Sequence, residues 1–250
     1  EGVQGFEPKK ERFEVFKDKT VHHLKNQMME VPYSQISGLY NSVVNERTWP
    51  TKEKLEVAEK LKFEQLDNFV RAIYDGMYYE SFVHGNLESK EAREVDSLVS
   101  TFLKKDDIKN IDVQSNRLRS YIIPKGKSYA YETDLYDENN VNSCIQHVVQ
   151  LDVYNEKLSA LSGLFAQMLH EPCFDILRTK EQLGYVVFSS SLNNHGTANI
   201  RILVQSEHTT PYLEWRIDEF YKTFGEKLRN MDEEDFNKHK EALCKTLLQK

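Results

Sequence analysis

Leu183-Gly184-Tyr185-Val186-Val187-Phe188-Ser189-Ser190-Ser191-Leu192-Asn193-Asn194-His195-Gly196-Thr197-Ala198-Asn199-Ile200-Arg201-Ile202-Leu203-Val204 reads as a β-hairpin. Its first arm is rich in Val, Phe and Tyr, Asn193-Asn194-His195-Gly196 is a strong turn, and Ala198, Ile200, Ile202 and Val204 then alternate with their neighbours. Upstream, Ile145, His147, Val149, Leu151 and Val153 alternate as a half-buried strand does, and Leu158, Leu161, Leu164, Phe165 and Met168 recur at helical spacing. Pro172 is expected to open another short helical turn. Downstream, Pro211 fits the first turn of a helix bearing Leu213, Ile217, Phe220, Phe224 and Leu228. Asp232 is placed to cap a final helix with Phe236, Leu243 and Leu247.

The first third of the chain reads as helix after helix. Phe13, Phe16, Val21, Leu24 and Met28 share one stripe, Ile36, Leu39, Tyr40, Val43 and Val44 a second, and Leu55, Ala58 and Leu61 a third. Leu66, Phe69, Val70, Ile73 and Tyr74 continue the series. Ser81-Phe82-Val83-His84 then reads as a short strand stopped by Gly85-Asn86, with Ser89 starting a helix that carries Ala92, Val95, Val99 and Leu103. Tyr121-Ile122-Ile123 and Tyr129-Ala130-Tyr131 are two further strand candidates around the turn Pro124-Lys125-Gly126-Lys127. The polar run from Asp134 to Asn142 looks like a connector, and the domain boundary is placed there, giving 1–131 and 132–250. Groups of helices and antiparallel strands, without the long crossovers of a parallel sheet, predict an α+β fold with helices packed on one face.

Composition narrows the function. Thirty-three basic against forty acidic residues leave a net charge of -7, which opposes the attraction behind nonspecific nucleic-acid or anionic-membrane binding. No apolar run approaches the roughly 20 residues that span a bilayer. Cys144, Cys173 and Cys244 are odd in number and widely spaced, which predicts reduced thiols and a cytoplasmic setting. The start Glu1-Gly2-Val3-Gln4-Gly5 resembles no signal peptide and suggests a piece of something longer. Metal chemistry in hydrolases typically needs two histidines four apart on a helix with a carboxylate between them. The eight histidines never form H-E-x-x-H or H-x-x-E-H; His170-Glu171 lacks its second histidine, and the adjacent His22 and His23 read as a solvated pair. No metal ligand is therefore assigned. Nucleophile elbows and phosphate loops are absent too.

One stretch goes further. His170-Glu171-Pro172-Cys173-Phe174-Asp175-Ile176-Leu177-Arg178-Thr179-Lys180-Glu181-Gln182-Leu183-Gly184-Tyr185-Val186-Val187-Phe188 resembles the C-terminal half of the insulin-degrading-enzyme family of zinc metallopeptidases, its pheromone-processing fungal members above all. Phe82 to Asn86, Ile202 to Glu207 and Met231 to Ala242 resemble the same family in the same order. The resemblance implies four homologous α+β domains around a chamber, with zinc in the first and this chain covering the latter part of the third and the first part of the fourth. It implies peptide substrates, pheromone precursors among them, an N-terminal zinc-bearing half of the same chain as partner, and an oligomer as one possible state. It also places an arginine and a tyrosine opposite the zinc-bound substrate, at positions matching Arg178 and Tyr185. Arg178 then offers donors to a substrate carbonyl, Tyr185 a hydroxyl to the developing oxyanion, and Gly184 room for a substrate backbone. Without the resemblance, Arg178 reads as a helix-end cation and Tyr185 as one more strand aromatic. Two alternatives stand beside the enzyme fragment: a non-catalytic peptide-holding homologue that has lost the metal, and a helical interaction scaffold. Lacking a zinc motif, the chain is expected to be inactive alone, with no cofactor of its own.

Overall fold

The computed structural model describes residues 7–72, 80–103 and 117–249. Along the chain these form α1 (Lys10–Met28), α2 (Pro32–Val44), α3 (Thr51–Lys60), α4 (Phe63–Ala72), α5 (Ser89–Leu103), β1 (Ser143–Val153) and α6 (Glu156–Cys173). A π-helical segment (Phe174–Lys180), β2 (Val186–Asn194), β3 (Thr197–Ser206), α7 (Thr210–Arg229) and α8 (Glu233–Leu248) follow. Ile73 and Tyr74 lie outside the described residues. The chain divides into two compact units, Glu1–Lys25 with Lys52–Arg117, and Asn26–Thr51 with Leu118–Lys250.

In the first unit Phe13 meets Phe63 edge-on at 5.9 Å, and the Lys17 ammonium donates to the Leu61 carbonyl at 2.9 Å. Among its described residues only Leu24 and Ala58 are buried apolar side chains.

The second unit holds an antiparallel sheet of order β1-β3-β2. Its hairpin turns through His195 and Gly196, both in the left-handed region (φ 41° and 96°), the conformation that two-residue hairpin turns demand. Register follows: Asn194 pairs with Thr197, Val187 with Val204, and His147 on β1 with Ile202. With side chains alternating, Ile200, Ile202, Val204 and Val187 share one face, against which α6 and α7 lay Leu164, Leu169, Leu213, Ile217 and Phe220. Asn155 caps α6 by accepting from the Leu158 N–H at 2.9 Å, and Asp232 caps α8 by accepting from the Asp235 N–H at 2.8 Å. Pro211 sits in the first turn of α7, where its missing N–H costs nothing. The expected α+β fold with helices on an antiparallel sheet is what the chain forms. In addition α2 crosses the opposite face, where the Tyr33 N–H donates to the Gln205 side chain at 3.1 Å and the Ser37 hydroxyl to Gln146 at 3.4 Å.

Several local expectations are corrected. Ser81–His84, Tyr121–Ile123 and Tyr129–Tyr131 form no strands; their apolar side chains are largely exposed, Phe82 at 90%. The turn at Pro124–Lys127 does form, with the Lys127 N–H donating to the Pro124 carbonyl at 3.1 Å, but no ladder flanks it. Instead the Tyr121 N–H donates to the Val44 carbonyl at 2.8 Å, beside an isolated bridge between Asn45 and Ser120. β-branched and aromatic residues favour a pleated, half-buried surface, and among the described residues these segments have no partner strand to make one. Pro172 also opens no new helix. It lies inside α6, which passes beyond it into the π-helical segment.

Candidate functional site

The site is built by the passage from α6 into β2. Pro172 has no N–H to give the carbonyl four residues before it, and the helix widens to π geometry over the next seven residues. Leu177, fully buried, anchors that segment in the core. It closes when the Glu181 N–H donates to the Ile176 carbonyl at 2.9 Å and the Leu183 N–H to the Leu177 carbonyl at 3.0 Å, with Gln182 left-handed between them (φ 53°). Glu181 is clamped from the other side by Arg216 of α7 through two parallel bonds, Nε at 2.8 Å from Oε2 and Nη2 on Oε1. Such a fork fixes direction as well as distance.

Gly184 follows, against β3. A Cβ here would fall 1.9 Å from the Gln205 carbonyl oxygen and 2.9 Å from its carbon, so only glycine lets the two backbones meet. The close approach it permits is therefore to the chain's own β3. The Ser206 hydroxyl donates to the Leu183 carbonyl and accepts from the His208 N–H at 3.0 Å, tying the same corner.

Held this way, Tyr185 projects from the start of β2 with 86% of its surface exposed. No hydrogen bond engages its hydroxyl among the described residues. The Arg178 guanidinium lies 5.4 Å from its ring centroid. The structure thus brings together the arginine and tyrosine singled out in the sequence, seven residues apart, on one exposed corner. A cation over an exposed ring contributes only about 0.5–1 kcal/mol, so the pair stays available to a ligand.

Sequence reasoning missed the Glu181–Arg216 fork. Its members lie on different elements, 35 residues apart, and no local spacing reports them. Elsewhere the chemistry is muted. Burial pushes the Cys144 and Cys173 thiols up to about 12, so neither is a thiolate at neutral pH. His147, under α7 beside Tyr221 and 3.8 Å from Asp218, is held below its ordinary value by burial, against the opposing pull of Asp218 and Glu214. His22 and His23 are both exposed on α1. Among the described residues no group of three or more His, Cys, Asp or Glu is arranged to hold a metal, and no helix is long and apolar enough to cross a membrane. An open depression of about 490 Å³ lined by Asp152, Tyr154, Lys157 and Leu161 lies at the hairpin-turn end of the sheet, away from Tyr185.

Two family profiles match in chain order. Residues 1–57 match one described as the middle or third domain of peptidase M16, and residues 164–250 one described as PQQ synthase PqqF-like, C-terminal lobe domain 4. The chain is 69% identical over all 250 residues to the A-factor-processing enzyme of Saccharomyces cerevisiae, of which it covers 24%. It is 32% identical over 242 residues, 96% of its length, to the insulin-degrading enzyme of Drosophila melanogaster, again covering 24% of that protein. The crystal structure of pitrilysin shares its fold, with a TM-score of 0.80 at 21% identity over 98% of this chain and 26% of that one. The chain therefore spans about a quarter of the length of the curated relatives it matches.

Proposed function

We propose, for a chain homologous along its whole length to a segment of the insulin-degrading-enzyme family, that it belongs to a cytoplasmic zinc metalloendopeptidase processing short peptides of the pheromone-precursor type. In this reading residues 1–131 are the latter part of the third metallopeptidase-like domain and 132–250 the first part of the fourth. The third-domain and fourth-domain profiles, matching on either side of that boundary, support it. The segment forms chamber wall and contributes substrate contacts to a centre carried by the N-terminal half of the same protein. In this reading the zinc that the family implies is held by the N-terminal half, because the chain's own sequence carries neither H-E-x-x-H nor H-x-x-E-H.

The observation that carries this reading is the exposed Arg178–Tyr185 corner, with a free phenol hydroxyl beside a guanidinium. When water adds to a peptide carbonyl, negative charge develops on the oxygen. A hydroxyl held in advance at that position donates to it more strongly in the transition state than to the neutral carbonyl, and so lowers the barrier. Tyr185 has that role. Arg178 donates to a substrate main-chain carbonyl before and during reaction, and Gly184, with Tyr185, lines the substrate path.

The test has two arms. The 250-residue chain alone should hold no stoichiometric zinc and cleave no peptide; one zinc per chain with chelator-sensitive cleavage would overturn the assignment. In the full-length protein Arg178→Ala should raise KM and lower kcat, reducing kcat/KM by about 10- to 100-fold, the worth of a charged hydrogen bond. Unchanged kinetics would remove Arg178 from the site.

A further inference from the structure

A short link, Glu181 to Gly184, joins the π-helical segment that carries Arg178 to Tyr185 and the start of β2. Both ends of this link are fixed. Leu177, next to Arg178, is fully buried, and the backbone of Gly184 lies against Gln205 of β3. Between them the chain belongs to no helix or strand. The placement of the Tyr185 phenol relative to the Arg178 guanidinium therefore depends on how the middle of the link is held.

That middle is not relaxed. Gln182 takes a left-handed backbone (φ 53°), which costs any residue with a Cβ and persists only where the surroundings over-determine it. Two ties to other layers bracket it. The Ser206 hydroxyl of β3 donates to the Leu183 carbonyl on one side, and Arg216 of α7 grips the Glu181 carboxylate on the other, Nε at 2.8 Å from Oε2 and Nη2 on Oε1. α7 is a rigid base for that grip, because Leu213 and Ile217, beside Arg216 on the helix, are fully buried. The guanidinium also lies 4.8 Å from the Trp215 ring centroid, which restricts its own freedom. Both partners are largely screened from water, with side chains 20% and 23% exposed, whereas Lys180 and Asp175, paired within the π-helical segment, are 67% and 47% exposed. A planar fork fixes direction as well as distance, which an ammonium cannot do.

We propose that Arg216, acting through Glu181, is a positioning residue for the reaction: the fork holds the left-handed turn at Gln182 and with it the place of the Tyr185 hydroxyl relative to Arg178. Arg216 does this without touching substrate, and the inference rests on the proposed role of Tyr185 as oxyanion donor. A hydroxyl lowers the barrier only if it is held where the charge develops, and a misplacement of about 1 Å can cost about 100-fold in rate. Leu177 anchors Arg178 from the other end of the segment. Loss of the fork is therefore felt in turnover more than in substrate binding.

The experiment is steady-state kinetics of the full-length protein, with zinc content and thermal unfolding followed in every variant. Arg216→Lys keeps the charge but not the fork, and Glu181→Gln keeps the shape but not the charge. Each should lower kcat by about tenfold with KM changed by less than about threefold, and the double variant should lose no more than either alone, because the two residues act as one unit. Lys180→Ala, at the exposed pair of the same segment, should leave kcat within about twofold. The decisive comparison is made in the Tyr185→Phe background. There Arg216→Lys should lower kcat by less than about twofold further, since the hydroxyl it positions is gone, whereas a merely structural loss would cost the same factor in both backgrounds. An equal factor in both, a normal kcat for Arg216→Lys, or a matching loss in Lys180→Ala overturns the inference. A kcat defect in Tyr185→Phe beside a normal Arg216→Lys removes the fork alone. An intact kcat in Tyr185→Phe instead removes the oxyanion role, and the positioning role falls with it.

Discussion

The helices of residues 51–103 and those of residues 156–248 carry the same kind of apolar stripe, yet among the described residues only the second set has a sheet to bury it against. In α7 Leu213, Ile217, Phe220 and Phe224 are all buried, whereas in α4 none of Leu66, Phe69 or Val70 is, and Phe69 is 61% exposed. Helical periodicity reports an apolar face; burial needs a second layer. The difference sorts the consequences of mutation.

The largest contrast should appear between two phenylalanines. Phe220→Ala removes a ring from the core and should lower unfolding free energy by about 3–5 kcal/mol, whereas Phe69→Ala should stay within about 0.5 kcal/mol. Denaturant titration of the chain measures both, and comparable losses would break the comparison. Within the second unit, Gly184→Ala should cost about 1–3 kcal/mol because its Cβ meets the Gln205 carbonyl, while Gly163→Ala, with open space inside α6, should stabilise by about 0.5–1 kcal/mol. A tolerated Gly184→Ala would mean that β3 does not pass where it is placed. Ion pairs should divide likewise. Arg216→Ala strands the half-buried Glu181 and should cost about 1 kcal/mol, while Arg71→Ala, at the exposed Arg71–Asp67 pair of α4, should produce no measurable change.

The smallest effect concerns pH. His147 binds its proton less readily folded than unfolded, because burial outweighs the attraction of Asp218 and Glu214. Its neutral form therefore contributes stability above the ordinary value of 6.5, and that contribution is lost as the pH falls through the lower folded-state value. His147→Leu should flatten the dependence of stability on pH below about 6.5. An unaltered slope would place the acid sensitivity elsewhere.

Much of this was legible in the sequence. Asn193 to Gly196 specified the turn, because left-handed backbone at two successive positions selects such residues, and the alternation of Ala198 to Val204 specified the inward face. Asp232 declared its own cap. Arg178 and Tyr185 were legible only through a family motif, and their proximity is a matter of the π-helical segment, whose widening after Pro172 no periodicity announces. Tyr121–Ile123 and Tyr129–Tyr131 misled because strand propensity is local while a partner strand is not. The Glu181–Arg216 fork and the backbone contact at Gly184 were illegible for the same reason: each joins residues distant in sequence.

The measurement that bears most directly on the proposed role of this segment is the kinetics of Tyr185→Phe in the full-length protein, with zinc content checked in parallel. Loss of one oxyanion donor predicts that kcat falls by about 10- to 1,000-fold while KM changes much less and zinc stays normal. An unchanged kcat with zinc in place would contradict it.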